Sequence, residues 1–115
     1  MKGNAIIKRT SLGFEDHGLM TAYLHLEQPG AGQGFGGYRL DAPKDAPSPM
    51  ASFFIARVLR TVGVDDWGDL VGKYVRVVGE DFGPILGIGH IIEDKWFYPE
   101  KEIKEFLESN KNVTG

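Results

Sequence analysis

Residues 20–27 alternate strictly, with Met20, Ala22, Leu24 and Leu26 on one side and Thr21, Tyr23, His25 and Glu27 on the other. A period of two marks a half-buried strand, so a strand is predicted over 19–28. Asn4 to Thr10 alternates more loosely and reads as a strand before it, with 11–18 as the intervening turn. After the turn Pro29-Gly30-Ala31-Gly32, residues 33–40 can form a third, glycine-rich strand. The period then changes. Beyond a loop over 41–49 that holds Pro43, Pro47 and Pro49, the residues Ala51, Phe54, Ile55, Val58, Leu59 and Val62 recur at helical spacing. Ser48 suits the N-cap, Pro49 the first helical position and Gly63 the C-cap. Asp65 or Asp66 can cap a short helical turn over Trp67 to Leu70. Residues 73–79 and 85–93 read as a strand pair around the turn Glu80-Asp81-Phe82-Gly83-Pro84. Pro99 opens a last helix that buries Ile103, Phe106 and Leu107, and the polar tail over about 109–115 is expected to fray.

The predicted order is β-β-β-α-(short α)-β-β-α. Strands joined by short turns pair antiparallel, so the fold class is α+β with an antiparallel sheet. The chain of 115 residues fits one domain, 1–115. No linker, internal repeat or low-complexity tract divides it.

Composition narrows the setting. There is no cysteine, which removes disulfides and thiolate metal sites and favours a reducing compartment. No apolar run approaches the ~18–20 residues that span a bilayer. Met1-Lys2-Gly3-Asn4 leads straight into a strand pattern, unlike a secretory signal. A cytoplasmic location and no membrane partner are therefore expected. The formal net charge of −3 speaks against duplex nucleic acid as a partner. It leaves room for a small anionic ligand held by a few Arg, Lys or backbone N–H groups.

Candidate chemistry is sparse. Gly32-Gln33-Gly34-Phe35-Gly36-Gly37 matches G-x-G-x-x-G in letters, but a hairpin turn precedes it and a proline-rich loop follows. The dinucleotide fingerprint needs a strand before and a helix opening at the motif. The motif reads instead as a strand that something approaches closely, either a packed neighbour or a ligand. His17, His25 and His90 lack metal-ligand spacing, so no metal and no cofactor is expected. Glu15-Asp16-His17 reads as a solvated turn, and no serine has a nucleophile-elbow context. His90 reads as a packed residue or a hydrogen-bonding group in a pocket. Arg57 and Arg60 lie off the apolar stripe near Phe53, as an exposed basic edge or as a phosphate-reaching pair. Phe82 at a turn either packs down or stacks on a partner or base. Trp96-Phe97-Tyr98 cannot all point inward, which suggests cover by another chain.

Four stretches together carry a resemblance: Ser11-Leu-Gly-Phe-Glu-Asp-His-Gly18, Gly32-Gln-Gly-Phe-Gly-Gly-Tyr38, Leu59-Arg-Thr-Val-Gly-Val-Asp-Asp-Trp67 and Ile88-Gly-His-Ile-Ile-Glu-Asp-Lys-Trp-Phe97. In motif order over about residues 5 to 100, the chain resembles small phage and prophage proteins of the first anti-Thoeris family. That resemblance implies a sponge: a phage anti-defence protein that sequesters a cyclic ADP-ribose isomer made by TIR-domain proteins and does not cleave it. It implies homodimers or higher homo-oligomers with ligand at subunit interfaces, some members also holding cyclic trinucleotides elsewhere. Arg57 and Phe82 carry over as the phosphate-binding and base-stacking residues. His90, Gln33 and Phe35 join them as ligand-binding candidates from their place in glycine-rich strands. The short, proline-rich loop at 41–49 departs from the family, and altered pocket closure is the expected consequence. Two other functions stand beside this one. One is a protein–protein inhibitor of a host defence complex. The other is a small phosphodiester hydrolase working through His17 or His90.

Overall fold

The computed structural model describes residues 2–14, 20–37, 40, 49–80 and 84–113. Six strands make one antiparallel sheet: β1 (Lys2–Phe14), β2 (Met20–Gln28), β3 (Ala31–Gly36), β4 (Tyr74–Gly79), β5 (Ile85–His90) and β6 (Trp96–Phe97). Two helices, α1 (Pro49–Val62) and α2 (Pro99–Val113), complete a single α+β domain, with a 3-10 turn at Trp67–Asp69. The sheet order is β3-β2-β1-β4-β5-β6, so the first strand lies in the middle.

The expected α+β class with an antiparallel sheet holds over the described residues, but the order gains a sixth strand between β5 and α2, and the differences have local causes. β1 runs on to Phe14, past the expected end at Thr10. A bulge between Ile7 and Arg9 shifts the register against β2, so that Ile7 faces Leu26 while Thr10 faces Leu24. One extra residue resets the alternation, and a pattern broken this way hides a continuous strand. β3 occupies 31–36, starting directly at the hairpin turn, not at 33. β5 stops at His90 instead of 93, because His90 Nδ1 accepts the N–H groups of Ile92 (3.1 Å) and Glu93 (2.9 Å) and turns the chain. Trp96 and Phe97 then return as β6, a strand too short to show a period.

The helices cover one face of the sheet only. Ile7, Leu24, Leu26, Phe35, Val75, Val77, Ile88 and Phe97 point to that side and pack with Phe54 and Val58 of α1. Its centre is aromatic: Phe54 meets Phe97 edge-on at 5.4 Å between ring centroids and lies near Phe35 at 6.4 Å. Phe53, off the main stripe of α1, stacks on Phe106 of α2 at 4.4 Å. Its cover therefore comes from this chain's own second helix. At the end of α1, Gly63 has φ 91°, and the N–H of Val64 reaches Leu59 O at 3.0 Å. This is the left-handed glycine cap expected from the sequence. Asp66 is the residue that caps the 3-10 turn, accepting Gly68 N–H at 2.8 Å. Ser48 and the proline-rich loop lie outside the described residues.

Candidate ligand-binding site

Among the described residues, no helix lies over the other face of the sheet. Strand alternation sends Tyr23 and His25 of β2, Asn4, Ile6 and Arg9 of β1, and Tyr74 and Arg76 of β4 to this side. The glycines of β3 and β5 lie here as well, and Gly32, Gly34, Gly87 and Gly89 each have a ring across or beside them. A Cβ on Gly89 would stand 2.5–2.8 Å from Trp96 ring carbons, and one on Gly87 would stand 2.6 and 2.7 Å from the Tyr98 ring. A Cβ on Gly34 would collide with the Tyr23 ring and hydroxyl, while Gly32 lies beside the His25 imidazole. The close approach anticipated at the glycine-rich strands is thus made by aromatic side chains of neighbouring strands. Missing side chains let the rings lie flat on the backbone.

This arrangement also places the run Trp96-Phe97-Tyr98. Phe97 enters the core, and Trp96 and Tyr98 tile the open face with ring centroids 6.3 Å apart. Phe97 is covered by this chain's own core, while Trp96 and Tyr98 stay partly exposed. Gly89 has none of the positive φ values that restrict other glycines here, so a Gly89→Ala change strains packing alone. It should evict the Trp96 ring and cost about 1–3 kcal/mol, seen as a lower urea midpoint together with a changed tryptophan emission.

Beside the tiles stands a hollow of about 430 Å³ lined by Lys2, Asn4, Arg76, Val78, Trp96 and Tyr98. Arg76 lies over the Trp96 ring at 4.4 Å, with Nε donating to His90 O (2.7 Å) and Nη2 to Glu93 O (2.6 Å). These bonds lock the guanidinium plane against the indole, which aligns a cation with an aromatic floor. Trp96 Nε1 donates to Asp94 Oδ1 at 2.8 Å, fixing the ring. Tyr98 keeps 37% of its surface exposed. Lys2 has no ion-pair partner among the described residues. The hollow can therefore offer a ring for stacking and two cations for phosphate.

A second groove, of about 580 Å³, lies at the end of α1 between Arg57, Arg60, Thr61, Asp65, Lys95 and Trp96. Arg57 is committed there. Its Nε pairs with Glu102 at 2.9 Å, its Nη2 donates to Trp96 O at 2.7 Å, and its guanidinium lies 5.1 Å from the Phe97 ring centre. Glu102 also accepts Tyr98 N–H at 2.8 Å, closing the first turn of α2 as a capping acid does. The arginine thus joins α1, β6 and α2. Lys95 pairs with Glu93 at 2.7 Å. That hydrogen bond, with the Lys95 charge and His90 adding, holds the exposed Glu93 carboxyl below its usual range.

The sequence-derived candidates separate in space. Arg57 and His90 lie toward the α1 end, Arg57 as the tie just described and His90 as the cap of its own turn. Two backbone N–H groups on Nδ1 assign the neutral imidazole proton to Nε2, which lies beside Gly63. Gln33 faces the helix side of the sheet, opposite Leu26. Phe35 is 2% exposed and sits between Phe54 and Phe97, so no ligand reaches it without opening the core. Phe82 and His17 lie outside the described residues. The sequence offers no role for Lys2 or Arg76, and it marks Trp96 and Tyr98 only as part of an aromatic run covered by another chain. The usable signal was the pairing of Gly87-x-Gly89 with an aromatic-x-aromatic run soon after. Among the described residues, no group of three or more His, Cys, Asp or Glu side chains is placed to hold a metal ion, and no helix is long and apolar enough to cross a membrane. No protein-family model, curated protein or solved structure matches the chain.

Proposed function

We propose that this protein binds and sequesters a cyclic nucleotide, by the resemblance above a cyclic ADP-ribose isomer, and returns it uncleaved. In this reading it is a phage anti-defence sponge, acting as a homo-oligomer in the cytoplasm of an infected cell. The observation that carries the reading is the hollow where the Tyr98 ring stands beside Lys2 and the Arg76 guanidinium that lies over Trp96. An adenine ring finds a stacking surface there, and a diphosphate finds two cations. The floor is preformed by glycines and hydrogen bonds, which lowers the ordering cost that a tight binder must overcome. His90, the described candidate for acid–base work, spends Nδ1 on two backbone donors, which favours binding over turnover.

Thermal unfolding against a panel of cyclic nucleotides and cyclic ADP-ribose isomers tests this. A ligand at 100 times its dissociation constant adds about 2.7 kcal/mol, and heating the complex should release it intact. Tyr98→Ala should weaken binding by about 1–3 kcal/mol, the worth of one stacked base, without changing the fold by circular dichroism. Recovery of a cleaved product would reject sequestration in favour of a hydrolase. The second reading, a protein–protein inhibitor, draws on Ile92, which is 83% exposed on the turn that His90 and Arg76 brace. A stable complex with a host protein, lost in Ile92→Asp and accompanied by no nucleotide shift, would favour it.

A further inference from the structure

The open face carries a second aromatic station that the hollow at Trp96 does not use. Tyr23 lies over Gly34, His25 lies beside Gly32, and together with Arg9 and Ser11 they line a separate hollow of about 260 Å³. Arg9 is the register partner of His25 and has no ion-pair partner among the described residues. The same elements recur: a ring laid on a glycine strand and an unpaired cation beside it.

The register fixes where the two stations stand. Four inter-strand spacings separate β2 from β6 in the sheet order, or roughly 19 Å. Along β1, Arg9 stands level with His25, while Asn4 stands level with Arg76 and, through Gly89, with Trp96. That is five residues of strand, roughly 16 Å, which gives a diagonal of roughly 25 Å. The diagonal is furnished along its length. Tyr74, 59% exposed, stands between the stations beside Ile6, in a third hollow that also borders Asn4 and Glu27. Over the three hollows Lys2, Arg9 and Arg76 stand against the single carboxylate of Glu27. The chain is acidic overall, yet this face is locally basic.

We infer that the open sheet face binds a linear single-stranded oligonucleotide, with one base stacked at Tyr98–Trp96, another at Tyr23–His25, and the intervening backbone running past Arg76 and Arg9. Rings separated by this distance cannot serve one mononucleotide. They suit a strand whose bases are splayed onto an exposed sheet, with site sizes starting at about four nucleotides. The inference rests on the nucleotide reading of the same face and extends it from one station to two.

The test is fluorescence anisotropy with labelled oligoadenylates of two, four and six nucleotides, with adenosine monophosphate as the competitor. The tetramer is expected to bind at least tenfold more tightly than the monophosphate. Tyr23→Ala and, separately, Arg9→Ala should each remove most of that gain while leaving monophosphate affinity within about twofold. The second variant keeps the test sound should loss of the Tyr23 ring disturb β3. Equal affinity for monophosphate and tetramer overturns the two-station strand and leaves the single site standing. A tenfold gain untouched by both variants also overturns it, since the extra affinity then comes from elsewhere. If nothing binds at any length, the two-station strand is overturned, while the cyclic-nucleotide reading stands or falls on the thermal panel.

Discussion

Phe54→Ala should cost about 3–5 kcal/mol, the range for removing a fully buried aromatic side chain. Phe54 has no exposed surface, and its ring meets both Phe97 and Phe35. It is where α1 enters the only sheet face that the helices cover. Truncation removes the hydrophobic transfer energy and leaves a void bordered by two rings held in place by β3 and β6. Neither ring can collapse far, because each belongs to a paired strand. A domain of ordinary stability holds about 5–15 kcal/mol, so the loss is about a fifth of the total or more. At about 4 °C per kcal/mol, the melting temperature should fall by roughly 12–20 °C. Leu107→Ala on the exposed side of α2 serves as the control, with Leu107 47% exposed and an expected change within about 0.5 kcal/mol. A fall of only a few degrees for Phe54→Ala would mean that the aromatic centre is not the core.

Arg57→Ala is the second large effect, and it separates two roles for one residue. As a tie between α1, α2 and β6, Arg57 makes two charge-assisted hydrogen bonds in a half-buried setting. Such bonds are worth about 1.5–3 kcal/mol each when well buried, and partial exposure screens them. A net loss of about 2 kcal/mol follows, with Glu102 and the Trp96 carbonyl left short of a partner. Arg57→Lys should recover less than half, since one ammonium cannot reproduce a planar fork. Urea unfolding reads both variants. The resemblance assigns Arg57 to phosphate, and that role predicts the reverse pattern: unchanged stability and weakened nucleotide binding. The two outcomes are cleanly distinct in a paired measurement of urea midpoint and ligand affinity.

Much of the fold was legible because local chemistry and burial agreed. Residues 20–27 alternate without a break because β2 has one face on the core along that whole stretch. The stripe from Ala51 to Val62 matches a helix lying on a sheet, Gly63 caps through its left-handed backbone, and Asp66 caps through its carboxylate. β1 was cut short because the bulge after Ile7 inverts the pattern midway, and only the partner strand reveals the continuity. β6 has two residues and hence no period. The site was less legible. Arg57, His90, Gln33 and Phe35 were chosen for residue type and glycine-rich surroundings. Type does not say which face a residue takes or which neighbour consumes its hydrogen bonds. Phe35 alternates into the core, and Arg57 finds Glu102 forty-five residues away in sequence. The glycines of β3 and β5 did mark the important surface, but the side chains that make it, Tyr23, Trp96 and Tyr98, come from adjacent strands.

The rings lying on glycines also set how this surface can drift over generations. Losing an aromatic at 23 or 96 frees the glycine beneath it, at 34 or 89, to become a good strand former, with a gain in backbone stability, while loss of Tyr98 eases Gly87 but leaves the Phe97 carbonyl 3.1 Å from a Cβ there. The opposite order is closed, because a side chain at the glycine evicts a ring that is still needed. Change should therefore run one way through each pair, aromatic first and glycine second. A lineage that has replaced Gly34, Gly87 or Gly89 should already have given up the matching ring, and with it the flat surface on which a base could rest.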